Sequence, residues 1–161
     1  MKPQKPTLPP PPAEAYRRRR DNTTIPQYHN TTTPNHQNPP PIGNFKKLRV
    51  WQQSKNLAVR IYQVTDEHTK FKQDFRFRDQ IRAAAVSVPS NTAEGDELDT
   101  NKQSIRHFYI AKGSTAEVIT QLIIAQEIGY LPPKITEELI KEYEHVSHML
   151  AKLIAARSKT P

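Results

Sequence analysis

Apolar side chains recur every three or four residues in four successive stretches of the chain after residue 44. In the first stretch Val50, Leu57, Ile61 and Val64 share one stripe with Ser54. This spacing is that of one face of an α-helix. The pattern predicts an amphipathic helix that begins near Phe45 and ends before residue 65.

The next three stretches predict three more helices. Residues 65–73 lose the pattern and are predicted to form a link. The apolar stripes comprise Phe77, Ile81, Ala84 and Val88 in the second helix, Ile105, Phe108, Tyr109, Ala116, Ile119, Leu122, Ile123 and Ala125 in the third, and Ile135, Leu139, Tyr143, Val146, Leu150 and Leu153 in the fourth.

Glycine and proline mark the predicted ends of these helices. Pro89 lacks a backbone donor and is predicted to break or kink the second helix. Gly95 and the polar residues after it are predicted to end that helix. Gly129 suits the position after the third helix, where a positive φ is common, and Pro132 and Pro133 precede the fourth.

The links between these helices are short, and short links favour antiparallel neighbours. The predicted fold is therefore all-α, an antiparallel up-down four-helix bundle. The third helix is apolar on more than one face, and Trp51 lies beside the main stripe of the first. This surplus predicts either a subunit contact or a wide core.

Residues 1–44 differ from the rest of the chain in composition. They hold eleven of the fifteen prolines, including PPPP at 9–12, and few large aliphatic side chains. Such a segment cannot bury enough apolar surface to order itself, so we predict a disordered tail and a bundle domain over residues 45–161. The tail has six basic and two acidic residues, and thus accounts for +4 of the net charge of +8.

Composition excludes several classes of protein. The absence of cysteine excludes disulfides, thiolate zinc sites and cysteine nucleophiles, and four glycines argue against a phosphate-binding glycine loop. No apolar run approaches the roughly 18–20 residues that span a bilayer. We expect a cytoplasmic protein that does not bind a membrane.

Three blocks of sequence resemble a known bacterial family. They are FKKLRVWQQSKNLAVRIY at 45–62, DQIRAAAVSVPSNTAEG at 79–95 and HFYIAKGSTAEVITQLIIAQEIGYL at 107–131. The chain resembles the four-helix-bundle proteins encoded in intervening sequences of large-subunit ribosomal RNA genes, which are related to accessory proteins of diversity-generating retroelements. Thr92 departs from the family pattern, which more often has an aliphatic residue there. The residues of the middle block that stand in the order typical of this family are Gln80, Arg82, Ser87, Pro89, Asn91, Glu94 and Gly95.

The resemblance implies a ring-like homo-oligomer such as a pentamer, binding of RNA or DNA, and no catalysis. A fold-level analogy is weak support for function, so the residues must also be weighed on their own. A second hypothesis remains open, in which the protein is an interaction scaffold for a reverse transcriptase or a ribosome-associated factor.

Basic residues predict where nucleic acid would bind. The first helix and the start of the second are basic, whereas the end of the second is acidic. The functional interpretation is phosphate binding at a cationic end of the bundle. The alternatives are solvated faces with exposed ion pairs and charge pairing between subunits. A further basic run, Arg17 to Arg20, lies in the tail. The candidate residues of the bundle are Lys46, Lys47, Arg49, Lys55, Arg60, Arg76, Arg78 and Arg82.

A second set of residues predicts a structural motif. Pro89 frees a backbone carbonyl, and an amide and a carboxylate nearby can satisfy freed groups and hold the helix against its neighbour. A ligand or RNA contact is the alternative. Ser114 and Glu117 are predicted to make a polar contact between helices. The motif comprises Gln80, Pro89, Asn91, Glu94, Gly95, Ser114 and Glu117.

Neither metal binding nor catalysis is supported by the pattern. Glu142 and His145 have the spacing of a bundle di-iron site, but that site needs a second such pair, and His148 adds only one more ligand. No nucleophile motif frames the serines and histidines. We therefore expect no metal, no cofactor and no enzymatic activity.

Overall fold

The computed structural model describes residues 44–159, and the predicted tail other than Asn44 lies outside them. A short 3₁₀ turn, Phe45–Lys47, precedes five α-helices. These are α1 (Arg49–Glu67), α2 (Thr69–Gln73), α3 (Phe75–Glu97), α4 (Asn101–Glu127) and α5 (Pro133–Ser158). The described residues contain no strand, and the predicted all-α class is confirmed.

The four long helices form an up-down bundle, in which α1 and α4 each pack against α3 and α5. Contacts along the α3–α4 pair show its direction. Ser87 meets Ser114, whereas Asn91, one turn later on α3, meets His107, two turns earlier on α4. The same reversal brings Arg60 of α1 to the first turns of α5. Adjacent helices are thus antiparallel, as the short links predict.

The core lies along the inner faces of these helices and is closed by aliphatic and aromatic side chains. Ser54 and Thr92 are also buried there. Within residues 44–159, no helix is both long enough and apolar enough to cross a bilayer. The largest fully buried side chains are Tyr143, Phe71, Phe108, Ile61, Ile81, Leu122, Leu139 and Leu150.

The predicted link at residues 65–73 is wrong. Helix α1 continues to Glu67, and Phe71 on the short helix α2 is fully buried. Its ring stacks on Phe77 at 5.9 Å and meets Tyr130 edge-on at 5.3 Å. A single turn of helix is too short to produce a detectable period, so only the aromatic contacts reveal it.

Of the break or kink predicted at Pro89, the break is wrong, because α3 continues for two more turns to Glu97. Side-chain donors bond two carbonyls next to the proline, although the carbonyl that the proline leaves without its helical donor is that of Ala85. The Asn91 amide donates to the Ser87 carbonyl at 2.9 Å, and the Thr92 hydroxyl donates to the Val88 carbonyl at 2.7 Å. Thr92, the departure from the family pattern, is therefore fully buried with its hydroxyl satisfied.

Helix α3 ends at Glu97, within the predicted polar stretch, but Gly95 itself lies inside the helix and in close contact with α4. A Cβ built on Gly95 would lie 2.6 Å from Cε1 of Phe108 and 3.0 Å from the Ser104 carbonyl oxygen. These distances are too short for any side chain. Glycine at this position lets the two helices cross in contact.

The predicted role of Gly129 is confirmed. Its φ is 72°, the left-handed conformation that follows many helices. The Tyr130 N–H donates to the Ala125 carbonyl at 2.7 Å, and the Leu131 side chain folds back into the core. This turn ends α4 and directs the chain into α5.

We predict that Gly95→Ala destabilises the bundle by about 1–3 kcal/mol, because the added methyl overpacks the Phe108 contact. Gly113→Ala is the matched control: a Cβ there meets nothing within 4 Å, and alanine in a helix interior gains about 0.5–1 kcal/mol over glycine. Urea denaturation of both variants measures the difference. Equal loss of stability in the two would contradict the close approach at Gly95.

Candidate nucleic-acid interface

Antiparallel packing divides the bundle into two halves along its axis. The entry half contains the start of α1, the end of α3, the start of α4 and the end of α5, and comprises residues 44–57, 87–113 and 147–159. The far half comprises residues 58–86 and 114–146. Each half collects segments that are distant in sequence.

The two halves differ sharply in charge. The entry half has ten basic and four acidic side chains, a net charge of +6, and the far half has eight basic and ten acidic, a net charge of −2. The charge of the bundle is therefore unevenly distributed along its axis, with a basic half and an acidic half. A polyanion would be attracted to the entry half and not to the far half.

The eight basic candidates do not form a single surface. Lys46, Lys47, Arg49 and Lys55 lie in the entry half, whereas the arginines at 60, 76, 78 and 82 lie in the far half. The expectation that the first helix and the start of the second make one cationic end is wrong. Because α1 and α3 run in opposite directions, their starts lie at opposite ends of the bundle, whose long helices span about 28–40 Å at 1.5 Å per residue.

Three of the four arginines in the far half are engaged within the subunit. Arg60 donates to Glu138 and Glu142 of α5, and thereby joins α1 to α5. Arg78 pairs with its neighbour Asp79 at 3.1 Å. The alternative of internal ion pairing thus describes these side chains better than a free phosphate-binding surface.

Arg82 is the most constrained of the basic candidates. Its guanidinium donates to the Thr65 hydroxyl at 2.8 Å and to the Asp66 carboxylate, and it lies 4.6 Å from the centre of the Tyr62 ring. The hydrogen bond from Arg82 holds the pKa of the Asp66 carboxyl below its usual range, although partial desolvation opposes this shift. Arg82 therefore fastens α3 to the last turns of α1.

The entry half contains basic residues that sequence inspection missed. Lys102, Arg106, Lys112, Lys152 and Lys159 join the candidates there because α4 begins and α5 ends at this end. Within residues 44–159, none of them has an ion-pair partner, and the same is true of Lys46, Lys47, Arg49 and Lys55. These residues could have been found from the sequence by assigning each charged residue to one end of an antiparallel bundle and then summing the charge at each end.

The predicted structural motif lies at the seam between α3 and α4. The Asn91 amide donates to the Ser87 hydroxyl at 3.0 Å, and that hydroxyl is hydrogen-bonded to the Ser114 hydroxyl at 2.8 Å. Ser114 in turn donates to the Ile110 carbonyl at 3.1 Å. These bonds form a continuous chain that satisfies each polar group as it crosses between the helices.

His107 extends this chain at its other end. Its Nδ1 lies 3.3 Å from the side-chain amide oxygen Oδ1 of Asn91 and 3.5 Å from the Glu94 carboxylate. Two members of the predicted motif stand apart. Gln80 is exposed on α3, and Glu117 accepts a hydrogen bond from Gln121 within α4 rather than from another helix.

Two apolar surfaces remain exposed on the subunit. The first, the α1–α3 groove, encloses about 450 Å³ between Lys55, Ala58, Val59, Tyr62, Val86 and Pro89. The second, the α4 outer face, consists of Tyr109, Ile110, Ile123, Ile124 and Ile128. Val59 and Tyr109 are each more than half exposed, at 51% and 58%. Apolar exposure of this kind is typical of contact surfaces.

Histidine and carboxylate side chains are dispersed over the described helices. Glu142 and His145 line a groove between α1 and α5. His148 instead contacts the carbonyl of Glu144 in its own helix. Within residues 44–159, no three His, Asp or Glu side chains are grouped to hold a metal ion.

The sequence of the bundle matches a known family over most of its length. The family model for the 23S rRNA-intervening sequence protein matches residues 46–152. The chain belongs to this family. The match covers α1 to α4 and most of α5, and therefore includes the far half, most of the entry half and both apolar surfaces.

A solved structure supports the fold of this family member. The crystal structure of a protein of unknown function from the S23 ribosomal protein family of Bacteroides thetaiotaomicron superposes with a TM-score of 0.62. The two chains are 20% identical over 65% of this chain and 97% of that one. No curated protein matches significantly. The likeness extends to the fold alone.

We predict that Asp66→Asn lowers stability at pH 7 but not near pH 2. A carboxyl whose pKa is lowered by folding stabilises the protein above its unfolded pKa of about 3.9, and this stabilisation is lost as the pH falls through the lower folded value. Urea midpoints for wild type and variant should therefore differ at pH 7 and converge at pH 2. Asp99→Asn, which changes an exposed carboxylate with no ion pair among the described residues, is the control. A constant difference across this range would contradict the Arg82 contact.

Proposed function

We propose that this protein is a non-enzymatic, homo-oligomeric nucleic-acid-binding bundle. It binds the backbone of RNA or DNA through the entry half. The candidate contacts are Lys46, Lys47, Arg49 and Lys55, together with Lys102, Arg106, Lys112, Lys152 and Lys159.

The division of charge between the halves carries this proposal. A net charge of +6 on one half, with its lysines free of internal ion pairs within the described residues, provides sites for phosphates. Each phosphate that a basic side chain neutralises releases counterions, which drives binding without a sequence preference. The basic run Arg17 to Arg20 lies outside the described residues and stays a predicted contact.

The two apolar surfaces support assembly into a ring, for which a pentamer is the candidate. The α1–α3 groove and the α4 outer face lie on different helices, so one surface on each subunit can pack against the other on the next. Contacts between unlike surfaces run head to tail, and they close into a ring when the rotation from one subunit to the next is a whole fraction of a full turn. A ring would present several entry halves together, and multivalency would then strengthen binding to one strand.

An interaction scaffold is the second candidate, for example as a partner of a reverse transcriptase or a ribosome-associated factor. The observation that favours it is the α1–α3 groove, which could receive an apolar segment of another protein. Copurification of a protein that remains bound after nuclease treatment, without affinity for polyanions, would favour this function over nucleic-acid binding.

We predict that Lys46→Ala, Lys47→Ala and Arg49→Ala combined weaken RNA binding and flatten its salt dependence. Loss of three phosphate contacts should reduce the slope of log K against log salt by about two to three, at roughly 0.7–0.9 per phosphate. Fluorescence anisotropy with a labelled RNA strand between 50 and 200 mM salt measures this slope.

The matched control removes the same charge from the far half. Lys72, Arg76 and Lys134 are exposed there, and their combined alanine variant should retain the slope of the wild type. Equal effects of the two triple variants would show that net charge alone matters, and would contradict an interface on the entry half. Affinity that is insensitive to salt in the wild type would contradict backbone binding altogether.

We predict that Val59→Glu dissociates the oligomer. A carboxylate in the α1–α3 groove would have to be desolvated at the subunit contact, which costs several kcal/mol. Native mass spectrometry gives the stoichiometry, and circular dichroism checks that the bundle stays folded. Gln63→Glu, an exposed change one turn further along α1, is the control and should assemble normally. A wild type that is monomeric at micromolar concentration would exclude the ring.

A further inference from the structure

A polar groove separates α1 from α5 on the side of the bundle away from α3 and α4. It encloses about 370 Å³, which is near the lower end of the range of about 300–1,000 Å³ for sites that hold small ligands. The phosphate surface of the proposed function does not use it. The groove is lined by Gln53, Asn56, Leu57, Lys141, Glu142 and His145.

We propose that this groove receives one unstacked base of a nucleic-acid strand bound on the entry half. The proposal rests on the proposed function, since the strand must first be held by its backbone. The groove would contact a base, whereas the entry half would contact only phosphates. Single-stranded nucleic acid is commonly recognised through bases that leave the stack and enter such sites.

Two carboxamides in the groove supply the chemistry to read a base edge. Gln53 and Asn56 lie one turn apart on α1, and each side chain offers both a donor and an acceptor. An amide can therefore form two bonds with an edge that presents a donor beside an acceptor, and adenine is the usual partner of Asn and Gln. We accordingly expect a preference for adenine.

The Gln53 amide is incompletely satisfied in the free protein. Its Oε1 is buried and has no hydrogen-bond partner among the described residues. A buried acceptor without a partner is destabilising by comparison with a bonded one. Rotation of the amide towards the groove would let this oxygen accept a hydrogen bond from the amino group of a base, so binding would satisfy it.

The remaining walls suit a flat aromatic ligand. Leu57 contributes an apolar surface, and His145 on α5 is an exposed ring on which a base can stack. The Glu142 carboxylate would repel a phosphate, but Arg60 donates to it and offsets its charge. Lys141 lies beside it as a free cation of the groove within the described residues.

The groove is continuous with the entry half. Arg49 precedes Gln53 by four residues and Asn56 by seven, so the three lie on one stripe of α1. On α5, His148 and Lys152 continue from His145 by three and seven residues in the same direction. A strand held by Arg49 and Lys152 thus passes the mouth of the groove.

The test compares two ten-nucleotide RNA strands, one all adenylate and one with abasic ribose throughout. Both carry the same phosphates, so the ratio of their affinities reports the bases alone. We expect the wild type to prefer the adenylate strand about tenfold, which is within the range for one stacked and hydrogen-bonded base. Gln53→Ala combined with Asn56→Ala should reduce this preference below about twofold, with no change in the salt slope.

Gln63→Ala combined with Gln73→Ala is the matched control. It removes two exposed amides outside the groove and should keep the preference of the wild type. The groove variant should remain folded, because Asn56 is exposed and the Gln53 oxygen makes no bond that is lost. Circular dichroism and thermal melting verify this.

The outcomes separate the groove from the proposed function. Salt-dependent binding of both strands with equal affinity would overturn the groove proposal and leave backbone binding intact. An unchanged preference in the groove variant would likewise overturn it. Binding of neither strand would remove both proposals. If adenosine monophosphate binds as tightly as the adenylate strand, the groove is a site for free nucleotides, and the proposal that it binds a base of a strand is overturned.

Discussion

The antiparallel order of the helices is the constraint on which the other features of this protein depend. The segments between α1 and α3, and between α3 and α4, leave too little chain for a crossover, so each helix must return beside the one before it. This return brings the start of α1, the end of α3, the start of α4 and the end of α5 to one end. Charges that look scattered along the chain thereby become a basic half and an acidic half.

The register of this packing is fixed most tightly between α3 and α4. Gly95 allows the backbone of α3 to approach Phe108, and one sliding step along the helix would place a Cβ in that contact. Two turns of polar bonds from His107 to Ser114 then match donors to acceptors across the seam. The apolar contact at Gly95 and the chain of polar bonds therefore specify the same alignment of α3 with α4. A shift of one helix along the other would break both.

The seam between α1 and α5 differs from the α3–α4 seam in the contacts that hold it, and this difference affects where a ligand could bind. Its bonds are the exposed pairs of Arg60 with Glu138 and Glu142, whose side chains are about half exposed. Such pairs contribute little stability, about 0–1 kcal/mol each. This seam leaves a polar groove of about 370 Å³ between the two helices. The groove therefore lies where the contacts between helices are exposed and weak.

The sequence by itself determined the helices, their antiparallel order and the family, because apolar periodicity, short links and the block around Pro89 are local patterns. Gly129 was likewise predictable, since a helix end is a local event. Phe71, the continuation of α3 through Pro89 and the packing of Gly95 were not, because each depends on a partner from another helix. Only the tertiary structure decided which basic residues share a surface. Electrostatic interactions depend on the distances between charges, and these distances are set by how the helices pack and not by the separation of the residues along the chain.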